Sequence, residues 1–420
     1  MIQTISLLPG VTLRCCRDKR FKQGCLSFQL VRPMCREEAA YNALLPAVLL
    51  RGTRQHPDLR AITEHLDTLY GASVSALVRR VGDYQTTGLY CSFMDDRFAL
   101  PGERVMAPVV AFLEELLLDV PVKNGGFLPG FVESEKKNLI STIESERNDK
   151  RVYAMSRLLK ILCREDSFGL PRLGEPQEVE AITPQSLWAH HQKILRTSAI
   201  EIFYVGSAGC ETVADLLRPL LSRLERDYIP LPPQTDLRSS RGDEVERMDV
   251  AQGKLCMGFV TPITNRTPEF ASMQVLNALF GAGMTSKLFV NVREKQSLCY
   301  AIGSAYYGAK GVMTVSAGID FDKEEQTRRE ILRQLDACRD GQITPQELQA
   351  AQQAIVSSLR ATHDSPGAVE GYYATAALSG LSLTVEDYEK SVLAVTVEDA
   401  VAVARQLELR ATYFLRGGSQ

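Results

Sequence analysis

The sequence predicts an α+β protein of two similar lobes, each a mostly antiparallel sheet covered by helices on one face. Three observations predict it. The same order of strands and helices occurs twice along the chain, the strands come in hairpin pairs, and a proline-rich polar segment separates the two runs.

In the first run, residues 24–31 read as a strand and 37–50 as a helix ending at Arg51-Gly52-Thr53. A second helix follows over 59–70, then a hairpin of 76–81 with 86–93 turning at Gly82-Asp83. The second run repeats this: strand 254–260, helix 268–280, Gly281-Ala282-Gly283, helix 286–294, then 300–306 paired with 312–319 around Gly308. Thr267-Pro268-Glu269 has the make-up of a helix start, with a hydroxyl cap, proline at the first position and a carboxylate in the first turn. Each half continues in long helical stretches. Residues 131–163 keep helical apolar spacing, and 344–364 open on Thr344-Pro345-Gln346-Glu347, a capping-box pattern. Each half ends on a strand-like run, 199–205 and 411–416.

Residues 227–243 contain Pro230, Pro232 and Pro233 and no apolar period, so they read as an exposed linker. The expected domains are therefore 1–226, a linker at 227–243, and 244–420.

A chain of 420 residues with 45% hydrophobic and 24% charged content suits an ordinary globular protein of two or more domains. A formal net charge of -3 gives no electrostatic reason to expect nucleic acid or an anionic membrane as partner. The N-terminal residues make a poor signal peptide, and no window approaches the roughly 20 apolar residues of a spanning helix. The ten cysteines form no Cys-x-x-Cys pair and read as buried reduced thiols, so a cytoplasmic location is expected.

The duplicated lobes, the helix ending in a basic residue-Gly-Thr, and the later Arg-Glu-x-x-x-Leu-x-Tyr segment together resemble the pitrilysin and mitochondrial-processing-peptidase family over nearly the whole chain. Active members carry His-x-x-Glu-His on the first helix. Its first and fifth residues share one helical face and bind Zn²⁺, while the Glu activates the metal-bound water. Counting back from Arg51-Gly52-Thr53 places Ala43-Leu44-Leu45-Pro46-Ala47 there. Ala43 and Ala47 stand at the histidine positions and Pro46 at the base position. None can ligate metal or move a proton, and Pro46 is expected to kink or interrupt the helix. Anchoring on Glu135 and the Asn148-Asp149 helix end places Thr142 at the third-ligand position. A two-residue shift would place Glu144 there, but one carboxylate does not hold zinc. No metal or other cofactor is expected.

The five histidines, His56, His65, His190, His191 and His363, show no ligand spacing and read as surface or structural residues. Gly281–Lys287 echoes a phosphate loop but lacks its Gly-Lys-Ser/Thr ending, and a glycine turn that lets two helices pack closely explains it better.

Arg293 and Tyr300 remain. In related peptidases an Arg and a Tyr at this spacing help hold the substrate and stabilise the developing oxyanion. In two-chain members one subunit carries zinc and the other the Arg/Tyr pair. The resemblance thus implies a non-catalytic subunit of a heterodimeric zinc metalloendopeptidase, whose partners are a zinc-bearing homologous subunit and an extended peptide. A stand-alone peptide-binding or scaffold protein, as a homodimer with no protease partner, stays open. So does a cysteine hydrolase, although nothing marks out a nucleophile. For Arg293 and Tyr300 themselves the alternative is a helix-end Arg paired to a carboxylate and a core Tyr.

Overall fold

The computed structural model describes residues 2–418. It divides into two compact units. The first comprises Met1–Glu144, Leu170–Pro233 and His363–Thr375; the second comprises Ser145–Gly169, Gln234–Thr362 and Ala376–Gln420.

The sheet of the first unit is built from β1 (Ile2–Leu8), β2 (Val11–Arg17), β3 (Gln23–Pro33), β4 (Ser73–Val81) and β5 (Tyr84–Met94). After a short hairpin of β6 (Val122–Lys123) and β7 (Gly126–Phe127), it is completed by β8 (Ala199–Gly206). The order is β1-β2-β8-β3-β5-β4. All neighbours run antiparallel except β2 with β8. The central strand β3 carries Leu26, Phe28 and Leu30 on one face, and these join Ala43, Leu44 and Val48 of the Arg36–Leu49 helix in one core. Alternation of apolar and polar residues puts Ser27 and Gln29 on the opposite face. That face is also covered. Residues 363–375, from far down the chain, lay Val369 and Glu370 over it, and the Glu370 carboxylate accepts from Ser27 Oγ at 2.7 Å and Gln29 Nε2 at 2.9 Å.

The second unit has β9 (Gly242–Met248), β10 (Gly253–Val260), β11 (Ala301–Tyr307), β12 (Val312–Ile319) and β13 (Glu408–Gly417), in the order β11-β12-β10-β13-β9. Again one pair, β13 with β9, is parallel. Here the helix Lys150–Leu162 packs Ala154, Leu158 and Leu162 on Cys256, Tyr413 and Leu415. The duplication read from the sequence therefore recurs for five strands, β2-β8-β3-β5-β4 matching β9-β13-β10-β12-β11, while β1 has no counterpart.

Five expectations need correction here. The compact units are not contiguous halves, because residues 145–169 and 363–375 each belong to the unit opposite to the one their position in the chain suggests. The linker is shorter and docked: Ile229 N–H donates to Thr197 O at 3.0 Å, Lys310 Nζ donates to Thr235 O at 3.0 Å, and Gly242 already lies in β9. Residues 131–163 form two helices, Pro129–Asn148 and Lys150–Leu162, because Asp149 leaves helical geometry and its carboxylate caps the amides of Arg151 and Val152. Thr267 caps no helix; its hydroxyl donates to Thr264 O in a preceding turn, and the helix starts at Phe270. The Thr344–Glu347 capping box forms as read, with both reciprocal bonds present. Cys15 and Cys210 are joined in a disulfide across 195 residues of sequence, so the reduced-thiol reading fails for these two. No helix among the described residues is long and apolar enough to cross a membrane.

Candidate functional site

The helix Arg36–Leu49 carries Ala43, Pro46 and Ala47, the positions that the resemblance aligns with metal ligands and a base, and runs unbroken through Pro46. The reason it does not break is local. Pro46 has no N–H to give to the carbonyl four residues back, that of Asn42. The buried Thr87 hydroxyl on β5 donates to that carbonyl instead, at 2.6 Å. The Asn42 side chain is equally bound: its amide donates to Gln85 Oε1 at 2.9 Å, and its Oδ1 lies 2.8 Å from His190 Nε2. Gln85 donates on to the carbonyls of Ala39 and Arg172. A polar network thus stabilises the helix, while Ala43, Ala47 and Pro46 contribute methyl groups and a pyrrolidine ring.

Thr142 is exposed, and its hydroxyl donates to Asn138 O at 2.9 Å on its own helix. Glu144 is exposed as well. Glu135 pairs with Arg51 at 3.3 Å. Gly52 is required in the turn after the helix, since a Cβ there would come within 2.6 Å of Pro57 O. Thr53 ties down this turn, accepting from His56 N–H at 2.9 Å and donating to Glu115 at 3.1 Å. His56 Nδ1 lies 3.0 Å from Glu115, and its ring stacks on His65 at 4.3 Å. Burial holds His190 near a pKa of about 4 and His191 near about 3, so both are neutral imidazoles at physiological pH. Among the described residues no three His, Cys, Asp or Glu side chains come together so as to hold a metal ion.

The Arg293 segment is built differently. Residues Leu288–Lys295 wind as a π-helix, a rare form that is concentrated at functional sites. Ser297 then takes a left-handed φ of 49°, which a non-glycine residue seldom adopts. Tyr300 follows, 62% exposed, with its N–H donating to Gly318 O at 2.9 Å. Arg293 Nε donates to Tyr300 O at 2.9 Å, Nη1 lies 3.1 Å from Glu294, and the guanidinium sits 4.7 Å over the Phe289 ring. The Tyr300 hydroxyl donates to Asp320 Oδ1 at 2.9 Å, and that bond to a carboxylate raises the phenol pKa. Sequence reasoning missed Asp320, which lies just past the end of β12 and whose contact depends on strand register. Gly281 is a close-packing glycine, since a Cβ would meet Ser304 Oγ at 2.6 Å and Leu288 at 2.8 Å. Lys287, the last residue of the phosphate-loop echo, is buried against Glu347 at 2.8 Å.

A chain with two mostly antiparallel, helix-covered sheets of matching strand order, and no metal-holding cluster among its described residues, defines the class of protein to compare. Residues 181–355 match the family model for the peptidase M16 inactive domain. Over 409 residues, 97% of this chain and 96% of the relative, the sequence is 28% identical to a probable inactive metalloprotease, YmfF, of Bacillus subtilis. A conserved protein of Enterococcus faecalis superposes with a TM-score of 0.91 at 27% identity, covering 100% of this chain and 99% of that one. A peptidase M16 inactive domain from Pseudomonas fluorescens shares the fold, with a TM-score of 0.82 at 16% identity over 100% and 98% of the two chains. Across nearly its whole length the chain is thus similar to proteins described as inactive members of the peptidase M16 family.

Proposed function

We propose that the chain is the non-catalytic subunit of a heterodimeric zinc metalloendopeptidase, which closes the partner's chamber around an extended peptide and supplies Arg293 and Tyr300 in trans. The observation that carries this reading is an asymmetry. The helix of Ala43 and Ala47 holds no chemistry, whereas Arg293 and the exposed Tyr300 are held in place through an unusual π-helix and a left-handed Ser297. Sheet edges support the peptide-binding half of the reading. Edge strand β9 carries Asp243, Glu244, Glu246 and Arg247, charges that discourage pairing with another strand. Edge strand β11, which begins directly after Tyr300, carries no charge, so its main chain suits addition of an extended peptide.

The test is co-purification of the full chain from its native host, with metal analysis of each component. A homologous subunit that carries His-x-x-Glu-His should accompany the chain, and zinc should follow that subunit. Recovery of the chain only as a homodimer, or with zinc of its own, would sink the assignment.

A further inference from the structure

We infer that Asp320 turns Tyr300 from a hydrogen-bond donor into an acceptor, so that the phenol of this chain holds a main-chain N–H of an extended peptide instead of donating to a carbonyl oxygen. The inference rests on the peptide-binding reading above and assigns the kind of contact made there.

An ionised carboxylate can only accept. The bond of 2.9 Å between the Tyr300 hydroxyl and Asp320 Oδ1 therefore contains the phenol's single proton. Asp320 stays ionised because Lys323, 3.1 Å from Oδ2, and Tyr300 both hold its pKa low. Lys323 is itself located by Ser297, to whose carbonyl it donates at 3.2 Å. The tyrosine backbone is equally fixed, through Gly318 O on one side and Arg293 Nε on the other. What the exposed phenol oxygen offers to a ligand is thus a pair of lone pairs at a defined place. The Arg293 guanidinium, whose Nε holds the Tyr300 main-chain carbonyl, offers only donors. Donor and acceptor together match one residue of an extended chain, whose C=O and N–H point to the same side, the C=O toward Arg293 and the N–H toward Tyr300. Such a contact reads main chain and not side chains, so the substrate class is extended peptide of varied sequence.

The experiment uses the full chain and a fluorescein-labelled, unstructured 12-residue peptide, with variants methylated at one backbone nitrogen each. Binding is followed by fluorescence anisotropy. One methylation position should weaken binding to the native chain by ~5-fold, the worth of one hydrogen bond, and should lose its effect against Tyr300→Phe. Asp320→Ala should return the proton and lower the midpoint of the Tyr300 phenolate absorbance change. Identical methylation profiles for the native chain and Tyr300→Phe, or no peptide binding at all, would overturn the inference. In the complex with a zinc-bearing subunit, Tyr300→Phe should raise KM by ~5-fold and leave kcat within about two-fold. A kcat loss of ~10²-fold at constant KM would show that Tyr300 donates in the transition state, and would also overturn it. The in-trans reading fails separately: in that case Arg293→Ala leaves both constants of the complex unchanged, whatever the methylation profile of the chain alone.

Discussion

The hydroxyl of Thr87 donates to the carbonyl of Asn42 at 2.6 Å, and so serves the one helix acceptor that Pro46 cannot reach. Both residues are fully buried, so the carbonyl has no water to fall back on. Thr87→Val keeps the shape and removes the donor. It should destabilise the chain by about 1–3 kcal/mol, the cost of a buried unsatisfied acceptor, and Thr87→Ser should recover most of that. Urea unfolding followed by circular dichroism checks the pair. Equal stability of the Val and Ser variants would mean that the bond contributes nothing.

The His190–Asn42 contact makes the same region sensitive to acid. Burial depresses the folded pKa of His190 to about 4 and of His191 to about 3, against an unfolded value of about 6.5. Below about pH 6.5 the unfolded state binds protons that the folded state does not. Stability is therefore complete above that pH and falls as pH drops toward 4, by up to about 1.4 kcal/mol per pH unit for each histidine. Glu38 acts in a lower window. Burial pushes its pKa up, but Arg32 and Lys193 outweigh burial and hold it at about 2, so its contribution is lost only below its unfolded value of about 4.5. Melting temperature should hence decline already between pH 6.5 and 4.5, and His190→Gln should flatten that decline.

Glu370 is the polar centre of the segment that covers the second face of β3. Its carboxylate, fully buried, accepts from Arg79 Nη1 and Nη2 at 3.0 and 2.7 Å, besides Ser27 and Gln29. Glu370→Ala leaves a guanidinium, a hydroxyl and an amide without that acceptor, and should cost about 3–5 kcal/mol. Arg79→Met combined with Glu370→Leu should cost less than Glu370→Ala alone. Residues 1–226 expressed without 363–375 would expose Cys25 and Val205 on that face and should be poorly soluble. A soluble 1–226 fragment with cooperative unfolding would show the segment to be dispensable.

Much of this was legible in the sequence because it depends on neighbours in the chain. Hairpin turns, the Thr344–Glu347 box and the glycine after the 270–280 helix are local, and each sits where its residues require. The lack of ligands at Ala43 and Ala47 was legible for the same reason, since the two share a turn of one helix. The rest joins residues far apart. Thr87 rescues Asn42 across 45 positions, Glu370 reaches Ser27 across 343, and Asp320 meets Tyr300 only once β11 and β12 are in register. Ser27 and Gln29 look like the solvent face of a half-exposed strand until something polar is known to cover them. The long-range partner decides.

Arg293 separates structure from function most directly. Its guanidinium lies over Phe289 and its Nε bonds to Tyr300 O, two partly exposed contacts worth about 1 kcal/mol each at most. Arg293→Ala should therefore lower the melting temperature by only a few degrees and leave assembly with a zinc-bearing subunit intact. If the guanidinium faces the reacting carbonyl of the partner's site, the same change should reduce turnover of the complex by ~10²-fold, as loss of one oxyanion donor does. Arg293→Lys keeps the charge but not the planar fork, so it should recover stability better than turnover. The alternative, a helix-end arginine that only ties Tyr300 in place, predicts the opposite ordering: both variants would lose stability in proportion to activity, and activity per folded complex would stay at the native level. Measuring melting temperature and kcat on the same preparations decides between them.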